Sequence, residues 1–373
     1  MLKKILTRGT IGLFLLLLAV LAYLLFAPVA IQPVAWQAPP YTGYTGAHAR
    51  NHELSGLQVI SLGNESGPEH ILPGPDGKLY AAVASGAILR MQPDGSQLDT
   101  WMSMGERVLG FAFDARGRMI VAMPSRGLLM IDQDKKVSDL VTQVNQVPVQ
   151  FVDAVVVAQN GKIYFTDATQ RFGVNAFGGV LNASMLDFLE HSCTGRVLEY
   201  DPASAGTRVL ADGFCFSNGI ALSQDEQHLF VSETAGYRVW KLSILADKLQ
   251  LQNPPNPQLA SVVLDNLPGF PDNLMRGTDG KLWVGIVKPR SADFDKMSVK
   301  PWLRSLVLRL PRSMWKVPQD YGHVIAFDET GKVLKDMQDP SGAYPETSGV
   351  TETADRLYLQ SLRARSIAWL AKK

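Results

Sequence analysis

Short apolar runs alternate with polar turns along most of the chain, and one unit recurs six times. It is a turn rich in Asp, Gly or Asn, a basic or polar residue, then apolar residues. The six are Asp76-Gly77-Lys78-Leu79-Tyr80, Arg116-Gly117-Arg118-Met119-Ile120, Asn160-Gly161-Lys162-Ile163-Tyr164, Asp225-Glu226-Gln227-His228-Leu229-Phe230, Asp279-Gly280-Lys281-Leu282-Trp283 and Ala354-Asp355-Arg356-Leu357-Tyr358. Their closing apolar residues stand 40, 44, 66, 53 and 75 positions apart. One hairpin per segment of about 40–50 residues, with insertions in the longer intervals, predicts an all-β fold, a six-bladed β-propeller. Residues 57–62, with Leu57, Val59, Ile60 and Leu62, precede the first unit and are expected to complete the last blade.

Two stretches break the pattern. Residues 182–191 carry Met185, Leu186 and Leu189 at helical spacing behind an Asn/Ser start, which predicts a short helix over a channel mouth, with His191 as its cap. Residues 288–317 carry eight basic side chains against Asp293 and Asp295, interleaved with Trp302, Leu303, Leu306, Leu310, Met314 and Trp315. Such a segment, over 296–317, suits a membrane interface, or an insertion packed on the propeller with a solvated basic rim.

Counting back 11 residues from the closing apolar residue of each unit falls on Glu69, Leu109, Asp153, Gly219 (Asn218 at 12, where the turn is one longer), Asp272 and Thr347. In a propeller these innermost strand starts face one another across the channel. Four blades therefore bring an oxygen-bearing side chain to one ring: Glu69, Asp153, Asn218 and Asp272. Three carboxylates and an amide oxygen, with no His or Cys in register, favour Ca²⁺ over Zn²⁺, and Asn273 is a candidate fifth ligand. Asp and Asn are also common in turns for conformational reasons, which is the competing explanation.

The N-terminus departs from the repeat. Residues 11–27 are uncharged and mostly apolar, behind Lys3, Lys4 and Arg8, and with 28–31 they make 21 residues, enough to span a bilayer. The reading is an uncleaved transmembrane signal anchor over residues 1–31, with a cleaved signal peptide as the alternative. The basic flank puts the propeller on the non-cytoplasmic side, in the periplasm, lumen or extracellular space. Residues 32–54, with Pro33, Pro39 and Pro40, read as a tether and 55–373 as the propeller. Export leaves Cys193 and Cys215 either bridged or as two buried thiols. The 32 Gly and 22 Pro suit a turn-rich β fold, and a net charge of +1 with no binding motif gives no case for a nucleic-acid partner.

The third and fourth blades carry Gly161-Lys162-Ile163-Tyr164-Phe165-Thr166-Asp167, Gly195-Arg196-Val197-Leu198-Glu199-Tyr200-Asp201-Pro202, Phe214-Cys215-Phe216-Ser217-Asn218-Gly219-Ile220-Ala221-Leu222-Ser223 and Val231-Ser232-Glu233-Thr234. These resemble the strictosidine synthase-like branch of the gluconolactonase and paraoxonase superfamily, of the adipocyte plasma membrane-associated type, over residues 55–373. The resemblance implies a six-bladed propeller with channel calcium, and its ligands carry over to Glu69, Asn218 and Asp272. At the remaining ligand many relatives have Asn where this chain has Asp153. Leu109 occupies the slot of the paraoxonase-type catalytic His. Thr347 and Ser348 stand where strictosidine synthases proper use Glu, with Glu346 out of register.

The expected function is calcium-dependent hydrolysis of a small hydrophobic ester or lactone. Asp153 or Asp272 would orient water beside the ion. Leu109, Phe151, Phe216 and Phe270 would line an apolar pocket, with His191 and Ser348 as further substrate contacts. The alternatives are a non-catalytic calcium-stabilised propeller binding a ligand or partner, and a carbon–nitrogen bond-forming synthase.

Overall fold

The computed structural model describes residues 2–252 and 256–372, with side chains from Arg8 onward, so Lys3 and Lys4 of the basic flank lie outside the described side chains. Six sheets, antiparallel but for a short parallel pair at the outer edge of blade 3, form the blades of a propeller. Their innermost strands are His70–Pro73, Gly110–Phe113, Val152–Val157, Ser217–Leu222, Gly269–Arg276 and Thr347–Glu352. Each predicted unit is the turn and second strand of one blade. Asx turns explain the polar half of the repeat: Asp114 Oδ1 accepts from Arg116 N and Arg118 N, and Asn160 Oδ1 from Lys162 N. Gly77, Gly117 and Gly161 in these turns take φ of 75°, 73° and 87°, a region open to Gly without strain.

The apolar half fills the seams between blades. Ile120, Ala122 and Leu128 of blade 2 pack with Val155, Phe165 and Leu198 of blade 3. Each such side chain contributes about 1.5–3 kcal/mol on burial. The ring closes as the apolar run at 57–62 predicts: Gln58–Ser61 pairs antiparallel with Ser366–Ala371 and completes blade 6.

Helix α1, Leu2–Phe26, holds the apolar stretch Arg8–Phe26, 19 residues with mean hydropathy 2.5, long and apolar enough to cross a membrane. It ends before Pro28, which lacks an N–H and disfavours helix at the residue before it. Residues 27–31, counted in the sequence towards the apolar span, are not helical, and Ile31 is buried. Residues 32–54 likewise do not hang as a free tether. Leu54 is buried between blades 5 and 6, and Asn51 and His48 bond to Asp336 of blade 5.

Helix α2, Val180–Glu190, ends on His191 in the left-handed conformation, the expected cap. The basic insertion forms α3, Ala292–Lys296, and α4, Pro301–Arg309. Arg304, expected on a solvated rim, is fully buried and donates to the carbonyls of Leu189, Glu190, Val34 and Ser298. The free carbonyls at the end of α2 require such donors. Cys193 and Cys215 form a disulfide.

Candidate metal centre

Glu69, Asp153, Asn218 and Asp272 are all buried, at 4–6 % exposure, at the starts of the innermost strands of blades 1, 3, 4 and 5. In blades 3, 4 and 5 the ladder between the first two strands shifts register at the ring position, between Val152 and Val155, Ser217 and Ile220, and Pro271 and Leu274. Blades 1 and 2 pair without such a shift. A bulge re-aims a side chain out of the regular alternation, and three of the four ring residues sit in one.

Hydroxyls from neighbouring blades then fix three of the four positions. Thr166 Oγ1 donates to Asn218 O at 2.7 Å, Ser232 Oγ to Asp272 O at 2.5 Å, and Ser348 Oγ to Glu69 O at 3.3 Å. Asn273 Nδ2 donates to Glu69 O at 2.9 Å and to Gln360 Oε1 at 3.2 Å, which leaves only its Oδ1 to reach an ion. These supports were not legible in the sequence, apart from Ser348 and Asn273 in other roles. They act across blades, between residues that no repeat register links.

Burial raises the carboxyl pKa values of all three acids. It is the leading cause for Asp153, followed by the charges of Asp272 and Glu69, and for Asp272, followed by Glu69. Glu69 is also raised by burial, although Arg107 Nη2 lies 2.5 Å from its carboxylate and opposes the shift. Fully ionised, three carboxylates against Arg107 leave a net charge of −2, the complement of one divalent cation. Asn218 hydrogen-bonds Asp272, yet its buried Oδ1 has no hydrogen-bond partner among the described residues. An orphaned oxygen beside an uncompensated pair of charges fits a hard oxygen-ligated cation such as Ca²⁺.

Above the ring stands an apolar mouth. Leu109, Phe151 and Phe216, each just ahead of an inner strand, share one cluster with α2. Phe151 meets Phe216 edge-on at 5.2 Å, Phe216 meets Phe188 at 4.9 Å, and Phe188 stacks on Phe270 at 5.8 Å. Phe188 is the aromatic that sequence reasoning missed, although its place in the helical stretch 182–191 was available as a signal. Trp36 stacks over His191 at 3.9 Å, and Ser348 is fully buried beneath Glu69 O.

A six-bladed propeller with a buried acidic ring under an aromatic mouth defines the class. The strictosidine synthase family profile matches residues 153–247, and the N-terminal profile of strictosidine synthase-like proteins matches residues 46–91. The chain is 32 % identical to the strictosidine synthase-like 7 protein of Arabidopsis thaliana over 76 % of its own length and 71 % of the relative's. It is 29 % identical to the adipocyte plasma membrane-associated protein of Salmo salar, over 95 % and 86 %. It belongs to the strictosidine synthase-like family. Among solved structures, a gluconolactonase from Xanthomonas campestris superposes with a TM-score of 0.60 at 18 % identity, covering 85 % of this chain and 90 % of that one. A calcium-binding regucalcin from Agrobacterium tumefaciens superposes at 0.55 with 12 % identity, over 84 % and 93 %. Both likenesses are of fold.

Proposed function

We propose that the protein is a membrane-anchored, calcium-dependent hydrolase of hydrophobic esters or lactones. The observation that carries this is the ring of Glu69, Asp153, Asn218 and Asp272, two charges short of neutrality, beneath an aromatic mouth. Bound there, calcium supplies a Lewis acid for a carbonyl oxygen. The chain's own residues do the rest. Leu109, Phe151, Phe216, Phe188 and Phe270 hold the apolar parts of the substrate and exclude bulk water. Asp153 or Asp272, ionised beside the cation, orients the attacking water, takes its proton and passes it to the leaving alkoxide.

Anchoring follows from α1 and the face beside it. Arg309 donates to the carbonyls of Ala27 and Leu24 at the end of α1. Around that junction Trp302, Met314 and Val317 are 62 %, 63 % and 67 % exposed among Lys300, Arg312 and Lys316. This composition suits an interface with anionic lipid, and the basic N-terminal flank favours a propeller outside the cytoplasm.

A non-catalytic binding propeller is the second reading, favoured by Leu109 in the slot of the catalytic His. The synthase reading lacks support: the Glu346 carboxylate is held by Lys288 at 3.1 Å and Arg363 at 3.4 Å. Purified protein assayed on aryl esters and lactones, with and without EGTA, decides between them. Turnover lost on chelation and restored by calcium supports the hydrolase. Turnover indifferent to EGTA contradicts the calcium role, and none on any substrate leaves the binding module.

A further inference from the structure

Residues 29–40 run from the membrane helix across the apolar mouth rather than around it. Ile31, 4 % exposed, belongs to the same cluster as Leu109, Phe151 and Phe216, and Val29 packs against it. Trp36 lies flat on His191, with 11° between the rings. The strap's backbone is held by Gln32 N to Glu190 Oε2 at 2.7 Å, Val34 N to Glu190 O at 2.8 Å and Trp36 N to Ser298 O at 3.1 Å. Further along, Arg290 Nη2 donates to Pro39 O at 2.6 Å and Asn266 Nδ2 to Pro40 O at 2.8 Å.

Most of these anchors come from α2 and the insertion that roof the mouth, and none from the innermost strands. The fit is also incomplete. The buried Nε1 of Trp36 has no partner among the described residues, an omission that costs free energy. An apolar subsite filled by a branched aliphatic and a flat ring, with polar atoms unmatched, has the character of a site holding a stand-in.

We propose that residues 29–36 are an internal occupant of the ligand subsite, and that a neutral ligand with an aliphatic chain and an aromatic ring binds there by displacing them. Val29 and Ile31 hold the place of the chain and Trp36 the place of the ring. The location of the subsite rests on the functional reading above, but occupancy is a matter of binding and needs no turnover. Because the strap is continuous with α1, its release couples ligand entry to the membrane face, where such ligands partition.

The test uses the full chain in lipid nanodiscs and an alkyl naphthyl ketone, isosteric with a naphthyl ester and not hydrolysable. Saturating ketone should speed hydrogen exchange at the Gln32 and Val34 amides, which the strap's bonds to Glu190 protect, by at least about tenfold. The full-chain double variant Ile31→Ala/Trp36→Ala should bind the ketone about tenfold more tightly, since affinity scales with the fraction of molecules in the open state. Exchange that slows on binding, or weaker binding by the variant, makes the strap a wall of the site and overturns the proposal. Absence of ketone binding overturns it as well. Protein that releases the strap on binding yet hydrolyses no ester keeps this inference and loses the hydrolase. Hydrolysis with the strap unmoved does the reverse.

Discussion

Asp153 puts a third carboxylate into a ring where the family resemblance leads one to expect an amide. Buried beside Asp272 and Glu69, it is the acid whose ionisation the two others oppose. Asp153→Asn should therefore raise the melting temperature of the metal-free protein by several degrees while reducing the calcium-induced rise, measured by circular dichroism in EDTA and in excess calcium. An equal calcium effect in both proteins would remove Asp153 from the ring. The four ring residues were legible because a repeat fixes where each inner strand starts, and strand starts lie near the axis. Thr166 and Ser232 were not, since each supports a residue of the next blade about 40–50 positions away. The stacking of Trp36 on His191 was not legible either, because Trp36 comes from more than 150 residues upstream, beyond any local pattern.

At the scale of elements, the hairpins, α2 and the closing strand follow from periodicity, whereas the course of residues 29–54 does not. Three prolines and sparse apolar residues read as a linker, and only the acceptors of Glu190 at the end of α2 and the donors of Arg290 and Arg304 turn that linker into a strap. Arg304 is the pivot, since a single guanidinium serves the end of α2, the strap and the turn after α3. Arg304→Met fills similar volume but orphans those carbonyls, and should cost roughly 3 kcal/mol. The loss should appear first as proteolytic cleavage within residues 29–40, ahead of global unfolding. Cleavage and melting unchanged from the wild type would show that the strap is held elsewhere.

For the whole molecule, closure of blade 6 by a segment preceding blade 1 ties the region behind the N-terminal helix to the far end of the chain. Six blades so joined hold the ring residues rigidly enough that three buried carboxylates can face one another. Because burial raises their pKa values, the metal-free folded chain keeps protons that the unfolded chain releases above about pH 4. Its stability therefore falls as pH rises through that window, and a bound divalent cation restores it by displacing the protons.

Calorimetric titration of calcium into EDTA-stripped full-length protein, at pH 5.5 and pH 8, tests the ring as a cation site. Binding should saturate at one ion per chain and release protons, with affinity rising from the lower pH to the higher. Asp272→Asn should weaken it about tenfold or more. No saturable binding at pH 8, or binding that Asp272→Asn leaves unchanged, would contradict calcium at the channel ring.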